Sequence, residues 1–164
     1  MDPLTGDQIR RSIRNCSTSE RARLTLPDLA AIDWAERDVL GWLDPKIDQR
    51  GYLVQVTGDG PVGVMLRAPQ SRVRRAAQCA LCHSVRTDGV ALFAARRGGA
   101  AGRRDDSVGT YICADLACST HLREALKPTR ERPDPAPLIA EQAAALQQRV
   151  GDFLAGVLNP GSAG

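Results

Sequence analysis

The chain has 164 residues, a net charge of +3 and an aromatic content of only 4%. This length allows one domain with a hydrophobic core, and the few aromatic residues mean that aliphatic side chains must form most of that core. Residues 1–7 do not resemble a signal peptide, and no apolar run reaches the length of a membrane span. We therefore expect a cytoplasmic protein with reduced thiols, not a secreted domain held by disulfides.

The first part of the chain favours two short helices, at residues 7–15 and 18–25. Ser17 and Glu20 have the spacing of a capping box, in which each side chain accepts a hydrogen bond from a backbone N–H at the helix start. These helices belong to an expected N-terminal helical part, residues 1–50.

Both tryptophans lie in the segment from Trp34 to Leu43. The Asp44–Pro45 step ends any helix there, because a proline disfavours helical geometry in the residue before it. Aromatic and large aliphatic side chains bury much surface, so we expect this segment to anchor the core. The expected anchors are Trp34, Leu40, Trp42 and Leu43.

Two pairs of β-strands are predicted further along the chain. Residues 52–56 and 62–66 flank Gly58-Asp59-Gly60-Pro61, which is a hairpin signal. Residues 90–94 and 108–112 form the second pair. Strands that alternate with short helices in this way indicate a compact α+β fold with a small antiparallel sheet.

A glycine-rich loop, residues 96–106, joins the strands of the second pair. No Gly-Lys-Ser/Thr follows its glycines, so it is not the phosphate loop of an NTPase. Its four arginines fit either a solvated hairpin tip or a contact with a partner: Arg96, Arg97, Arg103 and Arg104. Arg74 and Arg75 extend this positive region, and residues 61–127 carry 11 basic but 5 acidic side chains. Such a field indicates an anionic partner, either nucleic acid or an acidic protein surface.

Four of the five cysteines form two close pairs, Cys79 with Cys82 and Cys113 with Cys118. Two short turns of this kind supply the four thiolates that tetrahedral Zn²⁺ prefers, at about 2.3 Å for each Zn–S bond. The second pair fits a strand end that runs into the first turn of a helix at Cys118, where the helix dipole favours a thiolate. The spacing therefore predicts one structural zinc ion.

Other uses of the cysteines are less consistent with the sequence. A redox pair at Cys79 and Cys82 would leave the second pair unexplained and lacks the surrounding βαβ pattern. A catalytic zinc keeps an open coordination position, whereas four thiolates close the shell. Structural zinc remains the interpretation that uses all four residues.

The chain has only two histidines, and both lie close to the cysteines. His121 could replace Cys118 as a ligand, because a separation of three residues places both on one face of a helix. His83 directly follows a cysteine and is expected either to support the site or to face solvent. The isolated Cys16 is expected to be a small buried hydrophobe.

The C-terminal part begins with a proline-rich segment, residues 128–137, which is typical of a linker. Residues 138–158 then carry one apolar stripe at helical spacing, which predicts an amphipathic helix packed on the domain or on a second copy. The stripe consists of Ile139, Ala143, Leu146, Val150, Phe153 and Val157.

Several stretches of the chain resemble the FBP-type treble-clef zinc-finger family, the elongation factor G-binding proteins that include the FusB-type fusidic acid resistance factors. The most specific stretches are Leu40-Gly41-Trp42-Leu43-Asp44-Pro45 and Gly109-Thr110-Tyr111-Ile112-Cys113-Ala114-Asp115. Further matching stretches are Asn15-Cys16-Ser17, Leu26-Pro27-Asp28-Leu29, Val62-Gly63-Val64-Met65-Leu66-Arg67 and Cys79-Ala80-Leu81-Cys82.

The resemblance implies a treble clef whose zinc is held by the two cysteine pairs. It also implies a zinc-binding domain over residues 1–127, with the sheet and treble clef in 51–127, followed by the linker and the C-terminal helix. FusB-type proteins bind the C-terminal part of elongation factor G and help to release factor that the drug has stalled on the ribosome. They carry an additional N-terminal helical bundle and have an aromatic residue where this chain has Ala80.

We therefore expect a non-enzymatic, zinc-binding module that docks on a translation factor, with elongation factor G ahead of other translation factors, and that serves ribosome rescue or protection. The alternative is a zinc-dependent RNA-binding protein of the ribosome, with the same arginines on phosphates. No Ser/His/Asp set, paired carboxylates or open metal site indicates an enzyme. Neither a membrane nor a small-molecule substrate is expected.

Overall fold

The computed structural model describes residues 1–68 and 75–159, without the side chains of Arg75 and Asp88. The strands are β1 (Leu40–Leu43), β2 (Arg50–Thr57), β3 (Gly60–Arg67), β4 (Arg75–Gln78), β5 (Val85–Arg96) and β6 (Ser107–Cys113). The helices are α1 (Gly6–Ser12), α2 (Thr18–Ala22), α3 (Gly99–Arg103), α4 (Cys118–Ala125) and α5 (Ala136–Leu158), with single 3₁₀ turns at Leu29–Ala31 and Trp34–Glu36. The protein is thus a mixed α+β fold, as expected.

All six strands join one antiparallel sheet in the order β1-β2-β3-β5-β4, with β6 also paired to β5. Both strand pairs expected from the sequence are confirmed as parts of longer strands. The turn between β2 and β3 needs a glycine because Gly60 has φ +104°. The 12-residue strand β5 is the centre of the sheet, since it contacts β3, β4 and β6.

One face of the sheet is covered by α5, the longest helix. The predicted apolar stripe faces the sheet: Ala143, Leu146, Val150 and Val157 are buried, and Ile139 and Phe153 are partly buried. The helix thus packs on its own domain. Its C-terminus is held by the backbone N–H of Gly98, which donates to the carbonyl of Val157 at 2.8 Å. Within the described part of the chain, no helix is both long and apolar enough to cross a membrane.

The other face of the sheet is covered by the N-terminal segment over β1, β2 and β3 only. A second apolar cluster forms there, in which the rings of Trp42 and Tyr52 stack with centroids 4.8 Å apart. Over β5 and β6 the same face is exposed: Leu92 and Tyr111, which pair across the two strands, are 46% and 55% exposed. The sheet therefore has one face that α5 covers and one face that is only half covered.

The N-terminal helices are shorter than the sequence indicated, because tertiary contacts take over their last residues. α1 ends at Ser12, and Ile13 forms a bridge with Gly63 of β3. Asn15 then donates to the carbonyls of Met65 and Arg96, each at 2.9 Å. Both expected helix starts carry complete capping boxes, the second of them formed by the predicted Ser17 and Glu20.

The segment from Trp34 to Leu43 contains a 3₁₀ turn followed by β1, so its side chains alternate between the two faces of the sheet. Leu40 and Trp42 are buried and Trp34 is half-buried, as core anchors should be. The expectation for Leu43 is wrong: the alternation places it on the opposite face from Leu40 and Trp42, at the end of the edge strand β1, where it is 44% exposed.

Candidate metal centre

The four paired cysteines meet in one buried cluster. The sulfurs of Cys79, Cys82, Cys113 and Cys118 all lie within 4.8 Å of one another. The Sγ atoms of Cys79 and Cys118 are 3.8 Å apart, and those of Cys82 and Cys113 are 3.5 Å apart. The structure therefore brings together every predicted ligand.

The first pair lies on a tight turn between β4 and β5. The backbone N–H groups of Leu81 and Cys82 point at the Sγ of Cys79, at 3.4 and 3.5 Å. His83 takes a left-handed conformation with φ +58°, and its N–H donates to the carbonyl of Cys79 to close the turn. The N–H of Ala80 donates to the carbonyl of Tyr111 at 2.8 Å, which joins this turn to β6.

The second pair lies where the sequence analysis expected it. Strand β6 ends at Cys113, and Cys118 is the first residue of α4. Between them, Leu116 has φ +59° and donates to the carbonyl of Cys113, while the N–H of Ala117 donates to Asp115 Oδ1 at 3.1 Å. These turns aim both sulfurs at the first pair.

The sheet holds this second turn through Leu116. Gly41 of β1 lies against it so closely that an added Cβ would be 2.8 Å from the Leu116 Cβ. Gly51 of β2 leaves room for the Leu116 side chain in the same way. Gly41 belongs to the Leu-Gly-Trp motif that carried the family resemblance, so the motif's glycine has a structural role beside the metal turn.

The donor set fits one structural zinc ion. Tetrahedral Zn–S bonds of about 2.3 Å require sulfur separations of about 3.8 Å, close to the two distances above. Hydrogen bonds with Cys113, and then with Cys118 and Cys82, lower the pKa of Cys79. Hydrogen bonds with Cys113, and then with Cys79 and Cys82, raise the pKa of Cys118. A bound Zn²⁺ stabilises all four cysteines as thiolates.

His121 has other partners than the sulfur cluster. Its ring is buried, with Nε2 2.8 Å from Asp115 Oδ2 and Nδ1 2.7 Å from the Arg86 guanidinium. Because Arg86 can only donate, Nδ1 accepts and Nε2 donates to the carboxylate. Cys118 provides the fourth sulfur of the cluster, so His121 does not have to replace it as a zinc ligand. His83 is exposed and Cys16 is half-buried.

Two arginines that the sequence analysis did not single out stabilise the surroundings of the centre. Arg149 of α5 donates from Nε to the carbonyl of Leu81 in the first turn. Arg123 of α4 forms a bidentate ion pair with Asp38, and its Nε lies 2.8 Å from Glu36 Oε2. The partners in these contacts are far apart in the sequence, so no local spacing of residues could have predicted them.

The predicted partner-binding arginines have different surroundings. Arg97 is half-buried, donates to the carbonyl of Gly156 at the end of α5 and pairs with Asp106 at 3.3 Å. Arg96 is exposed on β5, and Arg103 and Arg104 are exposed at the C-terminal end of α3. The loop is thus not purely irregular, because it contains a five-residue helix. Arg75 begins β4, and Arg74 lies outside the described residues.

Comparisons with known proteins agree with this architecture. A model of the FBP C-terminal treble-clef zinc-finger family matches residues 8–157. The fold is similar to the structure of the fusidic acid resistance protein FusC, with a TM-score of 0.57 and 21% sequence identity. That likeness covers 85% of this chain but 57% of FusC, so the chain spans just over half of that protein's length. A comparison with curated proteins found no match.

The family match includes both cysteine pairs, the strands between them and nearly all of α5. A cysteine turn, a β-hairpin and a helix that starts at the last cysteine form the zinc-finger part of the fold. The chain therefore belongs to the FBP C-terminal treble-clef zinc-finger family.

Proposed function

We propose that the chain is a zinc-stabilised, non-enzymatic module that docks on elongation factor G in the cytoplasm. The observation that carries the proposal is an exposed apolar surface beside the metal centre. We call this surface the knuckle face and define it as Ala80, Leu92 and Tyr111. The family resemblance supplies the identity of the partner.

The knuckle face combines two features of a protein interface. Leu92 and Tyr111 are directly opposite each other on β5 and β6, and both are about half exposed. Ala80 is exposed and hydrogen-bonds through its N–H to the Tyr111 carbonyl, so the metal turn borders the pair. Exposed leucine and tyrosine side chains on a rigid sheet are typical anchors of interfaces, where aromatic residues contribute most.

The metal supports this surface without taking part in chemistry. We propose Cys79, Cys82, Cys113 and Cys118 as the ligands of the zinc ion. Four thiolates leave no coordination position for a substrate or an activated water, which favours a structural role over a catalytic one. The zinc would then fix the turn that carries Ala80 and the strand end that follows Tyr111.

Charge favours an acidic partner. The segment 61–127 has a net charge of +6, and this segment contains the whole knuckle face. A positive field of this kind speeds association with an acidic protein surface and becomes weaker as salt screens it. Arg103 and Arg104, exposed at the C-terminal end of α3, are proposed as rim contacts. A role in ribosome rescue or protection would follow from such docking.

Purified elongation factor G tests the proposal by isothermal calorimetry, with and without ribonuclease. We expect direct binding that survives the nuclease and becomes weaker with salt. Replacing Tyr111 by Ala should reduce the affinity about tenfold, which is typical for truncation of an interface anchor. The matched control is Leu43→Ala, an exposed apolar residue on β1. Absence of binding at tens of micromolar, together with recovery of ribosomal RNA from lysate, would favour the RNA-binding alternative instead.

A further inference from the structure

A surface groove of about 350 Å³ lies on the half-covered face of the sheet, at the opposite end of β5 from the metal centre. Residues of β2, β3, β5 and β6 line it, and three of them are arginines. We call these three residues, Arg50, Arg67 and Arg96, the arginine groove.

The register of the sheet places the three arginines side by side. Arg50 is directly opposite Arg67, and Arg67 is directly opposite Ala94. Directly opposed residues project to the same face, and so do residues two apart on one strand, which adds Arg96. The clustering of three cations is therefore a consequence of strand pairing.

The three arginines of the groove form no ion pair among the described residues, unlike the arginines that hold the fold together. Arg97 and Arg123 each contact a carboxylate within 3.3 Å. Within the described ranges, no carboxylate lies within 4.0 Å of any guanidinium of the arginine groove. These cations are therefore available to a ligand.

Carboxylates on the walls limit which anion fits. Glu20, Asp48 and Asp105 line the groove. Glu20 is held by the capping box, where its Oε2 accepts from the Ser17 N–H at 2.8 Å. Its pKa is lowered, first by that hydrogen bond and further by the charges of Arg96 and Arg50, so it stays ionised. The three wall carboxylates repel the closely spaced charges of a phosphate backbone. A glutamate or aspartate carboxylate stands on its own side chain, so it can reach the guanidinium groups while its acidic neighbours stay outside the groove.

We propose that the arginine groove binds an acidic side chain of the protein partner, as a second anchor beside the knuckle face; this rests on the proposed function. Leu92 and Arg96 lie on the same face of β5, four residues apart, which corresponds to about 13 Å along a strand. The partner should thus present an apolar patch and an acidic residue at roughly that separation. Guanidinium groups suit this task because they bind carboxylates through two parallel hydrogen bonds.

The test compares two triple variants that remove the same charge. Arg50, Arg67 and Arg96 are changed to Gln in one, and the exposed residues Arg11, Lys127 and Arg130 are changed to Gln in the other. Binding is measured to elongation factor G, to a fluorescent hexaglutamate peptide and to a uridylate oligomer of equal net charge. Thermal melting checks that both variants remain folded.

We expect the groove variant to weaken binding of elongation factor G and of hexaglutamate about tenfold, and the control variant to weaken both less than about threefold. Equal losses in the two variants would overturn the proposal, because they would reflect net charge alone. A loss confined to the uridylate oligomer would also overturn it and assign the groove to RNA. If the wild-type chain does not bind elongation factor G, the proposed function is wrong. The hexaglutamate measurement still tests whether the arginine groove binds carboxylates.

Discussion

The two faces of the sheet use the same kinds of residue for different purposes. On the α5 side, Leu53, Leu66 and Leu146 are fully buried. Two arginines stabilise the fold there, because Arg149 donates to a carbonyl of the metal turn and Arg97 donates to a carbonyl at the end of α5. On the half-covered side, Leu92 is exposed, and the arginine groove has no ion pair among the described residues. Residue type alone therefore does not identify a binding site, whereas the surroundings of each residue separate stability from recognition.

Loss of the metal centre should have the largest effect on the covered side. We expect Cys113→Ser to abolish zinc binding and cooperative melting, because structural zinc contributes on the order of 10 kcal/mol to the folding of small domains. Elemental analysis and thermal melting measure both quantities. Cys16→Ser is the control and should retain one zinc per chain. A zinc-free Cys113→Ser protein that melts like the wild type would contradict a structural role for the metal.

Truncation of a buried side chain between α5 and the sheet should have the second-largest effect on stability. Leu146 is fully buried between the helix and the sheet, so Leu146→Ala should lower the free energy of unfolding by about 2–5 kcal/mol. Denaturant titration provides the value. The exposed residue Glu141 on the same helix is the control, and Glu141→Ala should stay within about 0.5 kcal/mol of the wild type. Equal effects of the two changes would show that α5 does not cover the sheet as described.

A smaller effect is expected from Gly41→Ala. The new Cβ would collide with Leu116 in the second cysteine turn, and such overpacking typically costs about 1–3 kcal/mol. Zinc affinity should fall together with stability, which a competition titration with a chelator can measure. Gly58→Ala, at a site with open space around the added Cβ, is the matched control. Unchanged zinc affinity in Gly41→Ala would separate the motif from the metal centre.

The smallest effects concern the arginines near α3. Arg97→Ser should lower the free energy of unfolding by about 1 kcal/mol, because it removes a hydrogen bond to the last turn of α5. The double change of Arg103 and Arg104 to Ser should leave stability unchanged and mainly slow association with the partner. Denaturant titration and stopped-flow binding distinguish the two. A double variant less stable than Arg97→Ser would contradict the assignment of Arg97 to stability and of Arg103 and Arg104 to binding.

The sequence predicted what depends on local spacing. The spacing within the two cysteine pairs was enough to predict the metal site. The glycine-containing turn between β2 and β3 was enough to predict the hairpin that these strands form. The strand end at Cys113 and the helix start at Cys118 were likewise foreseen. In each of these cases the signal and the structure lie within a few residues of each other.

What the sequence did not reveal depends on distant partners. Strand β1 forms because Leu40–Leu43 pairs with β2, and this pairing is what exposes Leu43. The end of α1 is set by β3, which draws Ile13 into a bridge. The sequence does not distinguish Arg97 from the other three arginines of the loop, because its partner at the end of α5 is distant in the chain. The arginine groove was missed for the same reason, since its members come from three strands.

The most direct measurement of this division combines stability and binding in one variant, Leu92→Ala with Tyr111→Ala. Both side chains are about half exposed, so the free energy of unfolding should stay within about 1 kcal/mol of the wild type. Calorimetry with elongation factor G should show an affinity at least about tenfold lower, because the two apolar anchors of the knuckle face are gone. A double variant that remains folded and binds the factor as tightly as the wild type would contradict the account.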